Sequence, residues 1–386
     1  MKITAQHLVD LANTNLGDSL LPEIVRRLIR ASAVEVTGIR FPSGESTFQP
    51  GADGELHAKG IPPYVPDGYS IWEFSVEKKI AAKVTEDFEK RSDPLAMAEY
   101  MGQKRDEISY VAVTLRRWTQ TKGMTRAAFL KQAKDRKVWQ GVHVIDADNL
   151  EEWLDQSPSV TVWLLYKLGR ATPDMRSIEQ YWDDYRLGCN PQLSEELLLA
   201  GRKEQADTLV NSGLSPEVVR LKADSPEESA AFVAATFLSL DKEHPVRSAV
   251  LAKGVVIEKR DAMNGIMDAK AFPYVVALGE AAHNATKLSN QGFSVLVPIG
   301  NSSWSTRGTS PIDLPRARKD AFAEALVKMG VPQPRADTEA IKCNRSVTVF
   351  RRAHDEAQTN FPARGRSRPA ANADRANFCQ CLESHF

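Results

Sequence analysis

Residues 50–79 read PGADGELHAKGIPPYVPDGYSIWEFSVEKK. Asp53 lies in a glycine-flanked turn, and Glu73 interrupts a strand-like run between Trp72 and Phe74. A half-buried strand alternates apolar with solvated positions, so a carboxylate between two aromatic residues falls outside the pattern and needs a partner or a task.

The flanking elements define the setting. Upstream, Leu20, Leu21, Ile24, Val25, Leu28 and Ile29 recur at helical spacing and predict a helix over 19–31. AVEVTGIRF (33–41) alternates like a strand, STFQPGADGELHAKG (46–60) has turn residues at its centre, and YSIWEFSVE (69–77) is a third strand. From Ile80 to Met101 the pattern turns helical and strongly charged. EISYVAVTLRRW (107–118) is a buried strand running into a basic segment. VWQGVHVIDADNLEEWL (138–154) is a strand and a helix capped at Asp146 or Asp148, and SVTVWLLYKLG (159–169) closes the unit. Residues 1–170 therefore read as a mixed α/β domain with its strands in one sheet, flanked by helices.

In that order of elements, a turn-borne Asp53 and a strand-borne Glu73 come side by side at one sheet edge. Two hard oxygen donors aimed at one point suit Mg²⁺, which keeps several of its waters. Such an ion lowers the pKa of a bound water and stabilises charge on a phosphodiester oxygen, and a nearby lysine would position the water or neutralise the transition state. This pattern resembles the PD-(D/E)XK, restriction-endonuclease-like nucleases, most nearly their Mrr-like branch. The resemblance implies a Mg²⁺ (or Mn²⁺)-dependent endonuclease acting on double-stranded DNA, with Asp53 and Glu73 as metal ligands. In the family pattern a lysine stands two residues after the Glu; here that position is Ser75. The resemblance then implies a lysine from the following helix. Lys83 is the choice over Lys78 and Lys79, and Glu23 of LLPEIVRR matches the helix-borne acid of the fold. Simpler readings stand beside these. Asp53-Gly54 is also an ordinary hairpin pair, Glu23 a helix acid beside Arg26 and Arg27, and Lys83 a partner for Asp87 at i, i+4.

The formal net charge is zero, so the whole chain gives no electrostatic case for nucleic acid. Its distribution does: between Arg116 and Lys137 there are eight Lys or Arg and one acid, with Trp118 interleaved. Arg116, Arg117, Lys122, Arg126 and Lys131 are the candidate phosphate contacts, and Gln103 of YMGQKRDE a candidate polar contact to DNA. A solvated, lysine-rich helix face is the bland alternative.

Residues 171–190 read as a connector, and the character changes beyond them. VVRLKAD is a strand and SPEESAAFVAATFLSL a helix with Ser225 and Glu228 as a capping box. SAVLAKGVVIEK, FPYVVALG and FSVLVPIG are strand-like and separated by helices, which implies a wound parallel sheet over 191–355. LLLAGRKEQADTL resembles the opening segment of STAND- and AAA-type NTPases, and PIDLPRARKDAFAEALVKMG the helical part after their core. No G-x-x-x-x-G-K-[ST] occurs, nor any Gly-Lys pair, so a P-loop NTPase-like domain without Walker A and without bound nucleotide is expected. Nuclease and sensor in this order resemble bacterial anti-phage effectors, with a homo-oligomer and a phage-derived trigger or partner subunit implied.

Residues 356–386 have no periodicity and read as a disordered tail. The four cysteines are scattered, with only Cys379 and Cys381 close, and make no metal site. No stretch approaches the ~20 apolar residues of a membrane span, and the amphipathic first residues lack a signal-peptide core, so the expected location is cytoplasmic. The competing function class is a nuclease fold that only holds nucleic acid or a protein; RNA is a third substrate reading.

Overall fold

The computed structural model describes residues 2–32, 35–41, 52–93, 99–100, 103–120, 122–170, 174–212, 215–242, 244–263, 266, 274–301 and 310–355. The expected tail from 356 onward lies outside the described residues. The chain divides into two compact units, Met1–Thr161 and Val162–Phe386, so the boundary falls earlier than the sequence suggests.

In the first unit, helices α1 (Ala5–Leu11) and α2 (Gly17–Ser32) precede strands β1 (Val36–Arg40), β2 (Gly54–Ala58) and β3 (Gly68–Ser75). Helix α3 (Ile80–Ser92), the short pair β4 (Glu99–Tyr100) and β5 (Gln103–Lys104), β6 (Ser109–Thr114), α4 (Arg126–Asp135), β7 (Gly141–Ile145) and α5 (Ala147–Asp155) follow. The five-stranded sheet has the order β1-β2-β3-β6-β7. Its first three strands form an antiparallel meander and β3, β6 and β7 run parallel. Helix α3 stops at Ser92 instead of reaching Met101. Asp93 precedes Pro94 and is extended at ψ 126, the conformation that a following proline imposes.

Period-2 alternation along β3 sends Ile71 and Glu73 to one face and Trp72 and Phe74 to the other. Ile71 joins Val84 and Phe88 of α3, Tyr110 of β6 and Phe129 and Ala133 of α4 in one core cluster. Trp72 and Phe74 pack instead on the ring of Phe41, with centroids 5.5 and 5.4 Å away. Gly54 opens β2 and is no hairpin tip: a Cβ there would stand 2.6 Å from the Phe41 ring, so only glycine lets the strand lie against it.

The second unit begins within α6 (Pro158–Lys167). The expected connector is part of it, supplying β8 (Met175–Ser177) and α7 (Ile178–Leu187), whose Tyr181, Trp182 and Tyr185 enter the core. The expected single helix of SEELLLAGRKEQADTLVNSG is two, α8 (Glu195–Leu199) and α9 (Lys203–Ser212), parted at Gly201 with φ +70. Then come β9 (Val218–Ala223), α10 (Pro226–Leu238) and α11 (Pro245–Lys253). Pro245 starts α11, which runs on to Lys253 through the first half of the stretch 248–259 expected to be a strand, and β10 (Gly254–Ile257) begins only after it. Strands β11 (Tyr274–Ala277), β12 (Ser294–Gly300) and β13 (Ile312–Asp313) complete the sheet order β13-β9-β12-β11-β10-β8. All neighbours are parallel except the edge strand β8.

Only Asp224 and Ser225 separate β9 from α10. Ser225 caps the helix by accepting from the Glu228 N–H at 3.2 Å, but Glu228 does not return the capping bond. Its carboxylate accepts from Arg202 Nη2 at 2.6 Å and from the amide and hydroxyl of Thr348 at 3.0 and 2.6 Å. Arg202 also donates to the Pro315 and Leu198 carbonyls. Both charges are fully buried and fully bonded, so deleting one strands the other. Glu228→Ala is expected to cost about 3–5 kcal/mol in denaturant unfolding of the second unit, and the double change Glu228→Ala, Arg202→Ala less than the sum of the singles.

Candidate active site

The candidate site is built on β3 and the helix that follows it. Asp53 immediately precedes β2, and the β2–β3 register pairs Gly54 with Trp72. Its carboxylate Oδ2 accepts the Phe74 N–H at 2.9 Å, which ties the acid to the strand that carries Glu73. Glu73 is 6% exposed and projects toward α3. On that helix Lys83, Asp87 and Arg91 lie four residues apart and so form one stripe. Arg91 Nε donates to Glu73 Oε1 at 2.5 Å, and Lys83 Nζ donates to Asp87 Oδ1 at 2.7 Å.

Electrostatics bind these five side chains into one cluster. The pKa of Glu73 is raised from 4.5 to about 8, chiefly by burial, with the Asp53 charge adding to the rise and Arg91 opposing it. Burial also raises Asp53, opposed by the Phe74 amide, Arg91 and Lys83. The cluster is thus poor in positive charge despite its two cations. Tyr110, beside Ile71 in register on β6, is buried with its hydroxyl unpartnered among the described residues. Its pKa is raised well above the usual value, by burial and by the charges of Glu73, Asp87 and Asp53.

Two coupled carboxylates with raised pKa values and an orphan hydroxyl are what a site built for an additional cation presents. The donor set is hard oxygen, as Mg²⁺ and Mn²⁺ prefer. No group of three or more His, Cys, Asp or Glu forms a metal cluster among the described residues, which leaves Asp53 and Glu73 with waters to complete a shell. Their fit to such an ion requires that Arg91 yield its hold on Glu73.

The other expected residues are distributed differently. Glu23 accepts from Arg27 Nε and Nη2, both at 3.1 Å, on its own helix and is not among the charges that shift Asp53 or Glu73. Arg116 is a structural clamp, not a free phosphate contact: it donates to the Val76 carbonyl at 2.6 Å, to Asn13 Oδ1 at 3.0 Å and to the Ala12 carbonyl at 3.1 Å. Arg126 likewise donates to the Val144 carbonyl at 2.6 Å and pairs with Asp146, the N-cap of α5. Arg117 forms a surface pair with Asp148 at 2.9 Å, and Lys122 and Lys131 are exposed. Gln103 lies in β5 by its backbone, and its side chain lies outside the described residues. The sequence reading names Asp87 only as a partner for Lys83 and passes over Arg91 and Tyr110, although the 83/87/91 spacing is a readable signal.

In the fold the pKa of Glu73 is raised to about 8 from its ordinary 4.5. Across that interval the folded state binds more protons than the unfolded chain, so its contribution to stability is full below pH 4.5 and falls as pH rises. Melting temperatures measured from pH 5 to pH 8.5 without divalent ions are expected to decline toward the upper end. Glu73→Gln, which cannot ionise, should flatten that decline; an unchanged slope would mean Glu73 is ionised throughout.

No protein-family model matches the chain, and no curated protein or solved structure matches it at a significant level.

Proposed function

We propose that the first unit is a divalent-metal-dependent endonuclease acting on DNA. The observation that carries this reading is the coupling of Asp53 and Glu73, two acids brought to one place by the β2–β3 register and both short of positive charge. A metal bound there would supply a low-pKa water and charge stabilisation at the scissile phosphate. Asp53, fixed by the Phe74 amide, orients its free oxygen; Glu73 supplies the second donor; Lys83, from the helix, is the cation for the phosphate or the water. Lys78 and Lys79 stand exposed at the exit of β3 and add positive field near that point.

The second reading, a nuclease-like module that only holds nucleic acid or a partner, is favoured by one observation: both cations of the cluster are already neutralised by its own acids. Plasmid cleavage with Mg²⁺, Mn²⁺ or EDTA separates the two. Cleavage that EDTA stops and Asp53→Asn abolishes, with DNA binding retained or tightened, supports the nuclease. Asparagine keeps the acceptor for the Phe74 amide, so this variant should fold.

The exposed Lys122 and Lys131 are the remaining phosphate contacts of the basic segment. Each neutralised phosphate adds about 0.9 to the slope of log affinity against log salt on duplex DNA. Replacing both by Ala should therefore flatten that slope by up to ~2 units, whereas Arg116→Ala should lower the melting temperature. An unchanged slope would make the segment a solvated face.

For the second unit we propose a nucleotide-free sensor or assembly role. A P-loop places a long glycine-rich turn between strand and helix, while two residues join β9 to α10. The carboxylates of Asp224 and Glu228 are held there by Arg316 and Arg202. The melting temperature is accordingly expected not to rise with ATP or ADP, and a nucleotide-dependent rise would reveal a phosphate site elsewhere.

A further inference from the structure

The stripe on α3 offers more than a place for Lys83. Asp87 stands four residues after Lys83 and four before Arg91, so either cation can reach it from the same helix. In the structure Asp87 holds Lys83 and Glu73 holds Arg91. Formally, Asp53, Glu73 and Asp87 give three negative charges against two positive ones from Lys83 and Arg91. Both side chains of the Glu73–Arg91 pair are nearly inaccessible, at 7% and 10% exposure, so Arg91 cannot leave Glu73 for water; it needs another acid. The nearest such acid on its own helix is Asp87, at 11% side-chain exposure.

Resting on the nuclease reading above, we propose that Asp87 and Arg91 are positioning residues that couple metal binding to the release of Lys83. When a divalent ion takes Asp53 and Glu73, Arg91 moves its guanidinium from Glu73 to Asp87, and Lys83 is displaced toward the carboxylates and the substrate phosphate. No covalent bond changes. With all three acids ionised the cluster passes from −1 to +1 when a divalent ion joins it, and with Glu73 protonated from 0 to +1 as the ion displaces that proton, so net positive charge comes only with the metal. Lysine in a fixed strand position would carry its charge permanently; here it is withheld in a salt bridge.

The test uses the full chain and Mn²⁺ as probe, with binding read by calorimetry and folding checked by circular dichroism. Arg91→Gln removes the cation that competes for Glu73 and is expected to tighten Mn²⁺ binding by about tenfold. Asp87→Asn removes the acceptor that Arg91 needs and should weaken binding by about threefold or more, an effect that vanishes in the Arg91→Gln background because the two act in series. Independently, acylation of Lys83 by acetic anhydride, followed by mass spectrometry, should rise on adding Mn²⁺ to the wild type and stay low in Arg91→Gln. Should Arg91→Gln fail to fold, Asp87→Asn and the Lys83 labelling still decide the matter. Wild-type binding that is lost in Asp53→Asn but indifferent to both helix substitutions overturns the coupling and spares the nuclease reading. Absence of Mn²⁺ binding in wild type and Arg91→Gln alike overturns both.

Discussion

A carboxylate placed on a central strand beneath a helix must be given a cation, and the bond between Glu73 and Arg91 meets that demand. Left alone, the buried charge would cost several kcal/mol. Much of the first unit follows from it. Helix α3 must run along β3 so that its fourth-residue stripe faces the strand, and the parallel pairing of β3 with β6 sets Tyr110 next to the same cluster. On the other side of the register, Asp53 borrows the Phe74 amide, and Gly54 must stay without a side chain so that Phe41 can cover Trp72 and Phe74. The two faces of β3 therefore do opposite jobs: one is a dry aromatic contact, the other a charged cluster.

The second unit uses a buried ion pair for a different end. Arg202 and Glu228 join the break between α8 and α9, the N-terminus of α10 and, through Thr348, the helix Val347–Ala353. An arginine bonded to two backbone carbonyls and a carboxylate has its donors committed, which makes this pair a fastener. At Glu73 the pKa is displaced upward despite the arginine bonded to it, the mark of a charge imperfectly compensated.

The order of elements in the first unit could be read from hydrophobic period alone, because each helix there has a single apolar stripe and each strand a short bounded run. The misreadings have local causes. Pro94 and Pro245 moved helix boundaries through the conformations they impose, and Gly201 split a stretch that reads as one helix. At the site, Asp53, Glu73 and Lys83 stood out because they break or follow a pattern along the chain. Arg91 did not, since an arginine at a helix end is unremarkable until the strand beneath it is known to carry an acid. Arg116 erred in the opposite direction: sequence counts charge, but only geometry tells that its guanidinium is spent on two carbonyls and an amide.

The absence of a lysine two residues after Glu73 can be understood in the same physical language. Ser75 there accepts the Glu77 amide at 3.1 Å and so closes the strand exit into α3. A lysine at this position would forgo that turn contact and hold a permanent charge beside Glu73. On the proposed reading, a cation supplied by the helix leaves the turn intact and stands beside Asp87, which balances its charge until a metal joins. The cost is dependence on helix phase: 83, 87 and 91 share a face only while α3 remains a regular helix, and a shift of one residue turns the stripe by about 100° away from β3. On the proposed reading, the burial of Val84 and Phe88 against Ile71 and Tyr110 is then part of the chemistry, because it fixes that phase.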